Sequence, residues 1–255
     1  MPESPEIRRF IPNAIQPLCE LPDAADLSEF LLSCPFASLS ATCPSSIVCT
    51  KLVEYFNYRC AGRLEPLSAQ FVTRAVTTLV RGGCSGIRAN LKSIRRFGIP
   101  PILHCETCSE LGYNQPDRIR FANANEYRSL HYLRLGNQAE AKYRIQSLKA
   151  WLASGFPVAF GFSVPSSLDY DGYIEYRPTF DSIQGGHAAL LVGFDDKQLA
   201  ASKGAFRVYC PWGNDWGDQG FGWLPYKFVE RSIAVDFWTI IMPEWITAGE
   251  LFRPV

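Results

Sequence analysis

The stretch from Gly185 to Tyr226 limits the possible folds more than any other. It reads Gly-Gly-His-Ala-Ala-Leu-Leu-Val-Gly-Phe-Asp-Asp and, after a polar turn, Val-Tyr-Cys-Pro-Trp-Gly-Asn-Asp-Trp-Gly-Asp-Gln-Gly-Phe-Gly-Trp-Leu-Pro-Tyr. Short runs of β-branched and aromatic residues, cut by Gly, Pro, Asn and Asp, predict strands. Ala188 to Phe194 and Ala205 to Cys210 are two of them, with Val158 to Phe162 before and Val235 to Ile241 after.

The N-terminal half has a different period. From Ser45, apolar residues recur four apart at Val48, Leu52 and Phe56, and serines stand ready to cap the free first-turn amides, so a helix starts there. Leu67-Ser68 opens a second helix running to about Val80. Ser85 opens a third, with Ile87, Leu91 and Ile94 on one face and Gly98 and Pro100-Pro101 to stop it. A further helix is expected over Ala139 to Ser154, ended by Gly155. Helices first and strands second predict an α+β arrangement of two lobes.

With 255 residues, 47% of them apolar, the chain can bury a substantial core. Lys and Arg total 25, as do Asp and Glu, and no long basic run exists, so neither nucleic acid nor an anionic surface is an expected partner. No apolar stretch has the length of a signal peptide or a membrane span, which leads to an expectation of a cytoplasmic protein with no membrane association. Nine cysteines leave the redox state open.

On the Gly185–Tyr226 motif, the chain resembles the papain-like cysteine peptidases of family C1. In that family a His opens one strand and an Asn closes the next, just before a Trp-Gly-x-x-Trp-Gly run. The resemblance covers roughly residues 20 to 245. It implies a single domain over 21–250 behind an extension of residues 1–20. A mainly helical lobe would run to about 135 and an antiparallel β lobe or barrel from about 136, with a cleft between them. It implies an extended peptide or protein segment as the bound partner, and no cofactor.

The resemblance also assigns site positions. His187 matches the family His, Cys210 stands at the Asn, Ser46 at the nucleophilic Cys, and Ser40 at the oxyanion-hole Gln. The interval from Ser46 to His187 lies within the roughly 130–150 residues expected from nucleophile to His. Gly86 matches a glycine that lets a peptide lie against the cleft wall, Ile87 follows where a second Gly often stands, and Gly186 and Trp212 flank the His position. Cys43 and Cys84 match the family's cleft-side disulfide, although a reducing compartment would leave them as thiols.

These replacements compound one another. A thiol at a helix N-terminus beside an imidazolium ionises readily. A serine hydroxyl must instead lose its proton during attack, to a well-oriented neutral His. The Asn that would orient the ring is replaced by a cysteine, whose sulfur is a weak acceptor, and losing one oxyanion donor costs about 10²–10³ in rate. The sequence thus favours a papain-like protein that binds a peptide without cleaving it. The alternative is an active peptidase or acyl transferase whose nucleophilic Cys has been changed to Ser46; a Ser46–His187 dyad and a nucleophilic Cys210 rank below both.

Other residues have plainer readings. His104 and His131 lack the context of His187 and read as surface or structural. Cys49 reads as a small core residue. The His104 to Cys108 stretch has zinc-like spacing but no completing ligands, so no metal is expected. Trp212 and Trp216 serve equally as core aromatics and as a cover over the His.

Overall fold

The computed structural model describes residues 21–31, 42–62, 65–79, 85–102, 124, 127–136, 140–199 and 203–243. Helix α1 (Pro44–Ala61) runs through the centre of the fold. Val48, Cys49, Leu52, Val53, Tyr55 and Phe56 are all fully buried, which places apolar residues on several of its faces, as expected of a helix enclosed by its neighbours. Its start comes one residue before the predicted Ser45, because Pro44 fits the first helical position, where no amide partner is needed. Gly62 ends it in the left-handed region, at φ 63°. The charged residues of α1 that turn inward, Lys51 and Glu54, pair at 2.9 Å, and Glu54 also accepts the amide of Leu67 at 2.7 Å.

Two shorter helices lean on α1. Helix α2 (Ala69–Leu79) is capped by Ser68, whose hydroxyl accepts the Phe71 amide at 3.2 Å. Helix α3 (Ile87–Phe97) buries Ile87, Leu91 and Ile94 as the spacing predicted, together with Asn90. Gly98 closes α3 at φ 74°, where a Cβ would lie 0.9 Å from the Ala124 carbonyl oxygen, so only glycine fits.

The seven-stranded antiparallel sheet runs β2 (His131–Arg134), β7 (Ala234–Ile241), β3 (Val158–Pro165), β4 (Ile183–Asp195), β5 (Ala205–Tyr209) and β6 (Phe221–Pro225), with β1 (Ala24–Asp26) added to the far end of β4. It does not close into a barrel: β2 and β6 end the order without pairing to each other. The predicted strands are all present, and β4 begins five residues before the predicted Ala188. Strand β1 comes from the early chain and β2 from its middle, so the sheet is not built from the C-terminal part alone.

Helix α4 (Ala141–Ala153) packs on β4, within the range the sequence predicted. Lys149 reaches Asp196 at 2.6 Å, and Tyr226, just before the short helix α5 (Lys227–Glu230), donates its hydroxyl to the same carboxylate at 2.7 Å. Tyr55 of α1 donates to the Gly155 carbonyl behind α4 at 2.8 Å, which ties the helical lobe to the sheet. No described helix is long and apolar enough to cross a membrane. Residues 1–20, Ser40, Cys84 and the His104–Cys108 stretch lie outside the described residues.

Candidate active-site cleft

A cavity of about 390 Å³ opens where the starts of α1 and α3 face strands β3, β4 and β7. His187 sits on β4 in register with Phe162 of β3, and both line the cavity. Trp212 stacks on the imidazole, with ring centroids 4.6 Å apart and planes at 27°; Phe162 meets it edge-on at 6.2 Å. Trp216 stands against Trp212 at 4.7 Å and donates its Nε1 hydrogen to the Asp169 carbonyl at 2.9 Å, which fixes the aromatic cover. Both readings of the tryptophans hold at once, as core aromatics and as a lid on the His.

The His187 ring is held without a polar partner at one nitrogen: Nε2 is buried and makes no hydrogen bond. Cys210, at the Asn position, is free and fully buried, and burial pushes its thiol well above the usual range. Burial likewise drives the imidazole pKa down from 6.5 to about 4, so the ring is neutral at physiological pH. No imidazolium stands ready to ionise a neighbouring thiol.

A stability dependence follows from that shift. The folded pKa lies below the unfolded one, so the unfolded chain binds more protons between the two values. This contribution is intact above about pH 6.5 and is lost as pH falls towards 4. At about 1.4 kcal/mol per unit, discounted for a partly open ring, the loss is on the order of 2 kcal/mol. Urea titrations at pH 7 and pH 4 are expected to show it, and His187→Phe is expected to remove that share of the pH dependence.

Across the cavity from His187 the wall is formed by Cys43, Pro44 and Ser45, not by Ser46. Ser46 is 1% exposed, and its hydroxyl donates to Asn90 Oδ1 at 2.7 Å. The placement expected for it is corrected by helix phase: successive residues turn by about 100°, so when Ser45 faces the cavity, Ser46 points into the contact with α3. Asn90 binds the two helix starts together. It donates to Ser45 Oγ at 2.9 Å and to the Ser85 and Gly86 carbonyls at 3.1 Å each, while Ser45 donates to the Ser85 carbonyl at 2.5 Å.

Cys43 is disulfide-bonded. Its Sγ lies 4.0 Å from the Ser85 carbonyl. Cys49 is buried against the Ile87 carbonyl at 3.7 Å, and burial raises its thiol far out of the reactive range, as befits a core residue.

Gly86, Ile87 and Gly186 all line the cavity, whereas Trp212 touches His187 from behind and does not. A Cβ at Gly86 or Gly186 would meet nothing within 4 Å, so both backbones are open to an approaching chain. Of the other predicted residues, His131 belongs to β2, where it pairs with Ile241. The sequence reading missed Asn90, and it missed Asp236. The register between β3 and β7 slips by one residue, and Asp236 sits in the resulting bulge at φ 59° on the cavity wall, accepting the Trp238 Nε1 hydrogen at 2.8 Å.

A helical lobe and an antiparallel sheet with a His-bearing cleft between them define a papain-like fold. The structure resembles xylellain, a cysteine protease from Xylella fastidiosa, with a TM-score of 0.69 at 24% identity, covering 95% of this chain and 90% of that one. It also resembles bromelain from Ananas comosus, solved with the E64 inhibitor, with a TM-score of 0.62 at 17% identity over 87% of this chain and 99% of that one. The papain family cysteine protease profile matches residues 51–234, and the chain belongs to that family. In sequence it is 30% identical over 162 residues to an uncharacterized peptidase C1-like protein of Acanthamoeba polyphaga mimivirus, a match that spans 60% of this chain and half of that protein. It is 24% identical over 224 residues, 84% of this chain and 72% of the relative, to a cathepsin B-like protein of Giardia intestinalis.

Proposed function

We propose that this papain family member binds an extended peptide or protein segment in its cleft and does not hydrolyse it. The observation that carries the reading is the wall opposite His187: a proline, a serine bonded to the Ser85 carbonyl, and a cysteine held in a disulfide. Among the described residues, no free thiol lines this cavity. The neutral, unsteered imidazole supports the same conclusion, because acyl transfer needs a base oriented towards its nucleophile. Binding is supported by the bare backbones of Gly86 and Gly186, against which an extended segment can pair as an added strand.

The test is an immobilised peptide library screened for retention and, by mass spectrometry, for cleavage, with and without reductant. Retention without cleavage is the expected result. In parallel, Ser46→Cys is expected to stay silent towards an epoxysuccinyl thiol label at neutral pH, because that side chain points at Asn90 and not at His187. Labelling of that cysteine, with cleavage that depends on His187, would show that a single changed residue had silenced a working peptidase. Failure to retain any peptide would remove the binding half of the reading.

A further inference from the structure

A second chamber adjoins the cleft. It measures about 350 Å³ and lies between the outer end of the β3–β4 pair and the residues flanking α5. Ser163 and Ile233 line both spaces, so the two are neighbours. A row of rings runs from one to the other: Tyr176 lies 6.1 Å from Phe228, Phe228 lies 6.4 Å from Phe162, and Phe162 meets His187.

The lining of the chamber specifies its occupant. Pro165, Tyr176, Ile183 and Phe228 supply an apolar surface. The charged side chains at its rim are already engaged within the protein. Arg177 pairs with Glu175, and the Asp181 carboxylate accepts the Ser167 amide at 3.0 Å and the Ser167 hydroxyl at 2.9 Å. Asp181 is thus held by neutral donors, while the deeper lining that a side chain would meet is apolar. Ile183 is 74% exposed and neighbouring Phe180 is 86% exposed, which leaves large apolar side chains in water beside an apolar hollow of ligand size.

We propose that this chamber is an anchor site for one large apolar side chain, aromatic or branched aliphatic, of the same segment that occupies the cleft; this rests on the peptide-binding reading. The strands set the spacing approximately. Phe162 pairs with His187 and, past a register shift after Val164, Pro165 pairs with Ile183, three residues further along β3 and four along β4. At about 3.3 Å per residue the chamber lies roughly 10 Å from the imidazole. An extended ligand would thus place its anchor about three residues from the one opposite His187.

The test uses hexapeptide libraries in which one position at a time is fixed as Phe, Leu, Lys, Asp or Ala, binding being read by fluorescence anisotropy against the wild-type protein and Ile183→Asp. Ile183 is mostly exposed, so the variant is expected to fold. The expected result is one position at which Phe or Leu binds at least tenfold more tightly than Ala, Lys or Asp, an advantage that shrinks to less than threefold in Ile183→Asp. If peptides bind with no such position, if the advantage survives the substitution, or if the variant loses fixed-Phe and fixed-Ala peptides in equal proportion, the anchor site is refuted while peptide binding stands. If the wild type retains no peptide at all, the peptide-binding reading fails first and the anchor site falls with it.

Discussion

Gly86→Leu is expected to leave the melting temperature within about 2 °C of the parent and to weaken peptide binding at least tenfold. The two effects separate because of where this glycine sits. Its backbone, at φ −65° and ψ 167°, is one any residue adopts, so the new side chain causes no strain. Its Cβ would meet nothing within 4 Å, so nothing in the protein has to move. What the leucine occupies is the strip of cleft wall along which an extended segment would run. Differential scanning fluorimetry paired with anisotropy on a retained peptide reads both quantities. Unchanged affinity would mean that the segment does not lie against this wall.

Asn90→Leu is expected to have the opposite profile, a loss of roughly 3–4 kcal/mol and a fall in melting temperature of roughly 8–12 °C. Asn90 is fully buried, and its amide holds Ser45, Ser46 and the carbonyls before α3 in one network. Leucine fills similar space but bonds to none of them. The buried Ser46 hydroxyl would lose its acceptor and Ser45 Oγ a donor, in a setting where each unmet group costs about 1–3 kcal/mol, and the part-buried Ser85 and Gly86 carbonyls would each lose one of their donors. Thermal melts and urea titrations are the check. A change below about 1 kcal/mol would mean that water replaces the amide and that the helix starts do not depend on it.

The periodicity of the sequence exposed most of the scaffold. The spacing of Val48, Leu52 and Phe56 located α1, and the runs at Val158, Ala205 and Val235 located three strands to within a few residues. What stayed hidden lacked a local signal. Strand β1 is three residues inside a polar lead-in, and β6 contains both a glycine and a proline. The first residues of β4 include Gln184, Gly185 and Gly186, poor strand formers held extended by pairing with β3. His187 was identifiable because its glycine and tryptophan neighbours are distinctive in sequence. Ser46 shows the limit of such matching. Aligning by residue count cannot tell which of two adjacent serines a helix presents to the cleft, and a single position carried the chosen one into the α1–α3 contact. Asn90 had no signal either, since its partners on α1 are distant in sequence and become neighbours only when two helix starts meet.

Strand β1 has a consequence for how the molecule holds together. Ala25 pairs with Phe194 and Asp26 with Gly193, and any side chain at Gly193 would run into the Ala25 carbonyl at 2.3 Å. The early chain is therefore fastened to the far end of the strand that bears the imidazole, on the opposite side of the central helix in sequence. Cooperativity is built into that threading: neither lobe can melt without pulling a strand from the other's framework, so the recognition groove is kept or lost as one unit with the whole fold.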